Sequence, residues 1–245
     1  MSTIITVVLE IVATMVTIAS IIFSYVQIKL SLQITKKWDI AVSKKLPLPT
    51  LFFLRSSFWM KTSLKKIIMS HLYYARERFD AGTYDHVFIQ FYVDLMEAAV
   101  ISKELKIMAL NLIRIIRENV NYEFTTITVP KNGCPLLGYE VARKMNKKLL
   151  MIKDYGPRRE YKFDGKFTEK DVAIIIDDVS SDGLFLVKPI DILHENKICS
   201  KDCFVIVHRK EGDAKHKLGD KGHKLYSIFE LSDEDIANLI GVNIL

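Results

Sequence analysis

The chain has 245 residues and a formal charge of +6, enough length for one α/β domain plus an appendage. The positive excess is spread along the chain without a dominant basic block, so phosphate ligands and anionic lipid are expected partners and nucleic acid is not. Three cysteines, Cys134, Cys199 and Cys203, are too few for a disulfide framework and fit a reducing compartment.

The N-terminus predicts a membrane anchor over residues 1–30. From Ile4 to Leu30 the residues are almost all aliphatic, aromatic or small polar, with Glu10 the single acid and Lys29 the first base. As a helix that run can cross a hydrocarbon core of about 30 Å. A cleaved signal peptide would need basic residues before the run and a small-residue cleavage site after it, and neither is present. Lys29, Lys36, Lys37, Lys44 and Lys45 follow the run, which puts the bulk of the chain in the cytoplasm and the N-terminus outside. Residues 31–62 read as a juxtamembrane linker, because Leu46-Pro47-Leu48-Pro49 stops any helix. The aromatic run Leu51–Met60 fits either the membrane interface or packing against the domain.

Residues 63–245 are expected to form the domain, opening with a helical region over 63–122. Ile67, Ile68, Leu72 and Tyr73 recur at helix spacing before a break at Gly82. A longer stripe runs through Phe88, Phe91, Tyr92, Leu95, Met96, Val100, Ile107, Met108, Leu112, Ile115 and Ile116.

From Phe124 strands and helices alternate, which predicts a parallel sheet. Thr125–Val129 is a β-branched strand, Pro130–Pro135 a tight loop, Leu136–Met145 a helix and Leu149–Lys153 a second strand. A polar stretch, Asp154–Lys170, leads to the strand Ala173–Ile176, which has no polar face and so suits a sheet covered on both sides. Asp177 and Asp178 close that strand, and the small polar turn Ser180-Ser181-Asp182-Gly183 follows. Carboxyl ends of strands are where open α/β sheets bind ligands. Paired acids there can hydrogen-bond sugar hydroxyls or hold a hydrated cation, and turn N–H groups can cradle phosphate. A helical stretch over Pro189–Asn196, strands over Phe204–Val207 and Tyr226–Phe229, and a helix over Asp233–Ile240 complete the pattern. Ser232 with Asp235 forms the N-terminal box of that last helix, and Gly241 closes it. His194, Cys199, Cys203 and His208 lack the two close pairs on tight turns that zinc needs, so no metal set is read from them.

The apolar strand, the acid pair, Val179, Ser181 and Gly183 resemble the phosphoribosyl-diphosphate signature of type I phosphoribosyltransferases. Lys131-Asn132-Gly133-Cys134-Pro135-Leu136 looks like that family's pyrophosphate loop. Leu149–Lys153 with Asp154-Tyr155-Gly156 looks like the strand entering the mobile loop of the orotate branch. Gly165-Lys166-Phe167, His208–Gly212 and Leu225–Leu231 resemble further parts of that branch in the same order, so the likeness covers Phe124 to Ile240. It implies an α/β, Rossmann-like parallel-sheet domain. It also implies that Asp177 and Asp178 contact the ribose hydroxyls and that Ser180, Ser181, Asp182 and Gly183 take the 5′-phosphate. Lys131, Asn132 and Gly133 would face pyrophosphate, Lys153 would be the mobile-loop lysine, and Arg158 and Arg159 would reach departing pyrophosphate. Mg²⁺ would enter on the ligand's own oxygens.

Three positions depart from the family. Asp182 and Phe185 stand where a hydroxyl or small residue is usual, and a carboxylate beside a phosphate is repulsive by about 1 kcal/mol even when solvated. Pro189 either sits inside a helix, at a cost of about 3 kcal/mol, or marks its first turn and moves the helix start away from the loop. Three functions are therefore carried forward: a membrane-anchored active transferase, a binding module for a ribose phosphate or nucleotide with reduced or lost turnover, and a membrane effector of a defence or toxin system switched by its cytoplasmic domain. The departures favour the second. A homodimer is carried forward among the partners.

Overall fold

The computed structural model describes residues 61–80, 87–153 and 163–240, all within one unit of the chain, Leu54–Leu245. The 4–30 apolar run, the 51–60 aromatic run, Arg158, Arg159 and Gly241 lie outside the described residues. Among the described residues no helix is long and apolar enough to cross a membrane.

Residues 61–70 are helical (α1) and pack Leu64, Ile67 and Ile68 into the core. The strands β1 (Leu72–Asp80) and β2 (Phe88–Val93) then pair antiparallel as a separate two-stranded sheet. This corrects the expectation of an all-helical 63–122 region. In β2 the residues Ile89, Phe91 and Val93 are buried and Phe88 and Tyr92 exposed, a period of two broken at Gln90, which is also buried. The same aromatics also satisfy helix spacing, so period alone misplaces them. The short helix α2 (Leu95–Ala99) is capped by Asp94, whose carboxylate accepts the Glu97 N–H at 3.0 Å. Helix α3 (Ser102–Asn119) carries the expected apolar stripe inward through Met108, Leu112, Ile115 and Ile116.

The α/β part follows the expected alternation. It comprises β3 (Thr126–Pro130), α4 (Pro135–Met145), β4 (Lys148–Ile152), β5 (Phe163–Asp164), β6 (Val172–Ser180), α5 (Leu184–Glu195), β7 (Cys199–Arg209), α6 (Ala214–Asp220), β8 (Lys224–Leu231) and α7 (Asp233–Ile240). The six strands lie in the order β5-β4-β3-β6-β7-β8, parallel except for the short β5. β6 runs near the middle, and its alternating side chains explain its unbroken apolar run. Ile174 and Ile176 join the core under α3 and α4, while Ala173 and Ile175 join the one under α5 and α6.

Helix α5 begins at Leu184, earlier than the expected 189–196 stretch. Pro189 is therefore interior and leaves the Phe185 carbonyl without its helical N–H donor. Burial of Leu186, Val187, Pro189, Ile190 and Leu193 against the sheet holds the helix together across that missing bond. At α7, Ser232 Oγ accepts the Asp235 N–H at 3.1 Å while Asp235 accepts the Ser232 N–H at 2.8 Å, the reciprocal box expected from sequence.

Candidate functional site

The site is built on the last residues of β6, the turn after it, and the loop leaving β3. β6 continues through both acids to Ser180, so Asp177 and Asp178 belong to the ladder and do not merely follow it. Asp177 is buried and Asp178 partly so. Asp177 Oδ1 accepts the Asp178 N–H at 3.0 Å, and Asp178 Oδ1 accepts the Val179 N–H at 2.8 Å. Burial, and secondarily the neighbouring Asp178, pushes the Asp177 carboxyl well above the usual range; burial also raises Asp178.

The β3 loop presses against this pair. At Gly133 a side-chain methyl would stand 2.3 Å from Asp177 Oδ1, so only glycine allows the approach. Opposite it the β6 turn enters α5 through Gly183, at φ +78°, with Ala214 of α6 filling the space where a side chain would go. Between them lies Asp182, 6% exposed, whose Oδ1 accepts the Leu184 N–H at 3.1 Å.

One cleft of about 340 Å³ collects these groups. Asn132, Gly133, Asp177, Asp178, Ser181 and Asp182 line it together. Ser180 ends β6 and Gly183 caps α5, and neither lines the cleft; Ser180 Oγ is buried without a hydrogen-bond partner. Lys131 instead lines a smaller neighbouring cavity with Phe185, Lys188 and Pro189. Lys153 follows the last residue of β4, away from the cleft lining, and ion-pairs with Asp164 of β5. Among the described residues no three His, Cys, Asp or Glu side chains converge to hold a metal ion.

The opposite wall was not foreseen. Phe91, Tyr92, Val93, Asp94 and Met96 come from β2 and the start of α2, and Arg209 from the end of β7. The spacing of Asp94 and Glu97 is itself a helix-start signal that would have placed this wall. Arg209 is 2% exposed and fully engaged: Nη1 donates to the Phe91 carbonyl at 2.8 Å, Nη2 to Asp233 Oδ1, and Nε to Glu211 at 3.2 Å. Asp233 also accepts the Gln90 and Phe91 N–H groups at 2.6 and 3.2 Å. This network fixes the hairpin over the sheet and thereby closes the cleft.

No family model matches the chain. Curated relatives do. Orotate phosphoribosyltransferase of Pyrococcus horikoshii is 26% identical over 147 residues, covering 58% of this chain and 77% of that protein. The Pyrococcus furiosus protein of the same name is 27% identical over 142 residues, covering 56% and 76%. Among solved structures, Aeropyrum pernix orotate phosphoribosyltransferase superimposes with a TM-score of 0.60 at 19% identity, covering 74% of this chain and 99% of that one. Leishmania donovani UMP synthase gives 0.58 at 21% identity, over 69% of this chain and 36% of the other. The described chain thus has the phosphoribosyltransferase fold, and its sequence is similar to that of orotate phosphoribosyltransferases.

Proposed function

We propose that this chain is a phosphoribosyltransferase-like module that binds a ribose phosphate or nucleotide on the cytoplasmic side of a membrane, with transferase turnover reduced or lost. One observation carries the binding reading: the acid pair Asp177/Asp178 and the Asn132-Gly133 loop face the same cleft at the carboxyl ends of parallel strands. In that cleft the carboxyls of Asp177 and Asp178 would take the vicinal hydroxyls of a ribose. Mg²⁺ would rely on ligand oxygens for most of its coordination.

Reduced turnover is supported by what faces the leaving-group side. Transfer of a phosphoribosyl group develops negative charge on departing pyrophosphate, which needs positioned cations. Among the described residues the cleft lining includes four carboxylates, Asp94, Asp177, Asp178 and Asp182, and one cation, Arg209, which is held by Asp233 and Glu211. The membrane assignment rests on the 4–30 run and the lysines after it.

The experiment is a thermal-shift panel of phosphoribosyl diphosphate, ribose phosphates, nucleotides and pyrophosphate on the full-length chain, with Mg²⁺, alongside a pyrophosphate-release assay with orotate. At least one ribose-bearing ligand should stabilise the wild type and fail to stabilise the Asp177→Asn/Asp178→Asn variant, without pyrophosphate release. Steady turnover would restore the active transferase. Recovery of the full-length chain in the soluble fraction of lysed cells would remove the membrane anchor.

A further inference from the structure

We infer that the phosphate turn of this chain is occupied by its own Asp182 carboxylate, and that the cleft therefore takes a ribosyl ligand with a free 5′-hydroxyl, any phosphate being carried at C1. The inference rests on the ribose-binding reading above and narrows its ligand.

Asp182 sits at the N-terminus of the 12-residue helix α5, where exposed N–H groups and the helix dipole favour an anion. Its Oδ1 already takes the Leu184 N–H at 3.1 Å. Its Oδ2 is buried and has no hydrogen-bond partner, in a residue that is 6% exposed and lines the cleft. A buried acceptor without a donor is an incomplete site, and what completes it is a donor. A hydroxyl can donate to Oδ2. A phosphate dianion brings only acceptors and a like charge, and it competes with Oδ1 for the Leu184 N–H.

Among the described residues the cation lining the cleft is Arg209, and it already donates to the Phe91 carbonyl, Asp233 and Glu211. Phe185 adds an apolar wall beside the turn. Gly212 packs so closely on the Ser181 carbonyl that a methyl there would stand 2.1 Å away, and the Ala214 N–H donates to the same carbonyl at 3.3 Å. The turn is thus braced from behind and cannot readily retreat to make room for a phosphate. The C1 end differs, because it faces the Asn132-Gly133 loop, whose Asn132 side chain can donate to a phosphate there.

The test is isothermal titration of the full-length chain with two isomers of equal charge, ribose 1-phosphate and ribose 5-phosphate. Ribose 1-phosphate should bind at least tenfold more tightly. Asp182→Thr, which replaces the carboxylate by a hydroxyl, should tighten ribose 5-phosphate at least tenfold and erase the preference. Equal or tighter binding of ribose 5-phosphate by the wild type overturns this inference and leaves the ribose site standing. Failure of both isomers to bind overturns the inference together with the ribose reading beneath it. The wild-type comparison decides the matter even where Asp182→Thr fails to fold.

Discussion

Gly133 and Asp177 are 44 positions apart in sequence order, yet a methyl group on Gly133 would stand 2.3 Å from Asp177 Oδ1. The β3 loop and the β6 acid pair are therefore one packed unit. Gly133→Ala should displace the carboxylate or the loop. Overpacking of this kind costs about 1–3 kcal/mol. Urea unfolding should show a loss of that size, and ribose-ligand binding should fall with it. An unchanged midpoint would mean that the loop yields freely.

The acid pair also predicts the response to pH. The folded-state pKa of Asp177 lies well above its unfolded value, because burial and Asp178 disfavour the charged form. Between the two values the folded chain holds a proton that the unfolded chain has lost. Stability should therefore fall as pH rises from about 4, the unfolded value, through the folded value. Asp177→Asn removes that dependence, so its urea midpoint should vary less with pH than that of wild type and match or exceed it at pH 7. A variant less stable than wild type at pH 7 would show the carboxylate to be structural.

Much of this site was legible before the fold was. The strand 173–176 has no polar face, which suits a parallel sheet covered on both sides, and its side chains do enter both cores, so the acids at its end stand at the carboxyl edge of the sheet. The hairpin was not legible, because Phe88, Phe91, Tyr92 and Leu95 satisfy helical spacing while Ile89, Phe91 and Val93 satisfy strand spacing. Burial decides between the two, and burial here comes from α7, some 140 residues later, through the Asp233 bonds to Gln90 and Phe91. The ion pair of Lys153 was not legible either: β4 stops at Ile152, one residue short of the expected strand, and β5, which supplies the partner Asp164, is only two residues long and carries no period.

His71 gives a second pH dependence of opposite sign. It lies between the α1 helix and β1, and its ring contacts Glu97 of α2 at 3.1 Å and Glu104 of α3 at 2.9 Å. Burial lowers its pKa, but the two glutamates outweigh burial and the net shift is upward. Its stabilising effect is thus fully present below the unfolded value of about 6.5 and lost as pH rises through the folded value. Wild type should lose melting temperature over that window relative to His71→Gln. Parallel curves for the two would show that the imidazolium does not clamp α2 and α3.

Arg209 and Asp233 provide the sharpest test of how the cleft wall is held. Both are almost completely buried, and their pairing joins the end of β7, the start of α7 and the backbone of β2. Removing one member of a buried pair leaves the other charge without compensation, at about 3–5 kcal/mol. Arg209→Met keeps most of the side-chain volume and strands Asp233, with the Gln90 and Phe91 N–H groups and the N-terminus of α7 as its remaining support. Asp233→Asn instead keeps hydrogen-bonding capacity but strands Arg209. Each single variant should lose about 3–5 kcal/mol by urea unfolding, and the two losses should not add in the double variant, because the second change removes the charge stranded by the first. Amide exchange at Gln90 and Phe91 should accelerate in both single variants, while exchange in the middle of β6 should follow only the global stability. Additive losses with no local change at β2 would mean that the hairpin is held by its apolar face alone, and that Ile89, Phe91 and Val93, not the ion pair, set the width of the cleft.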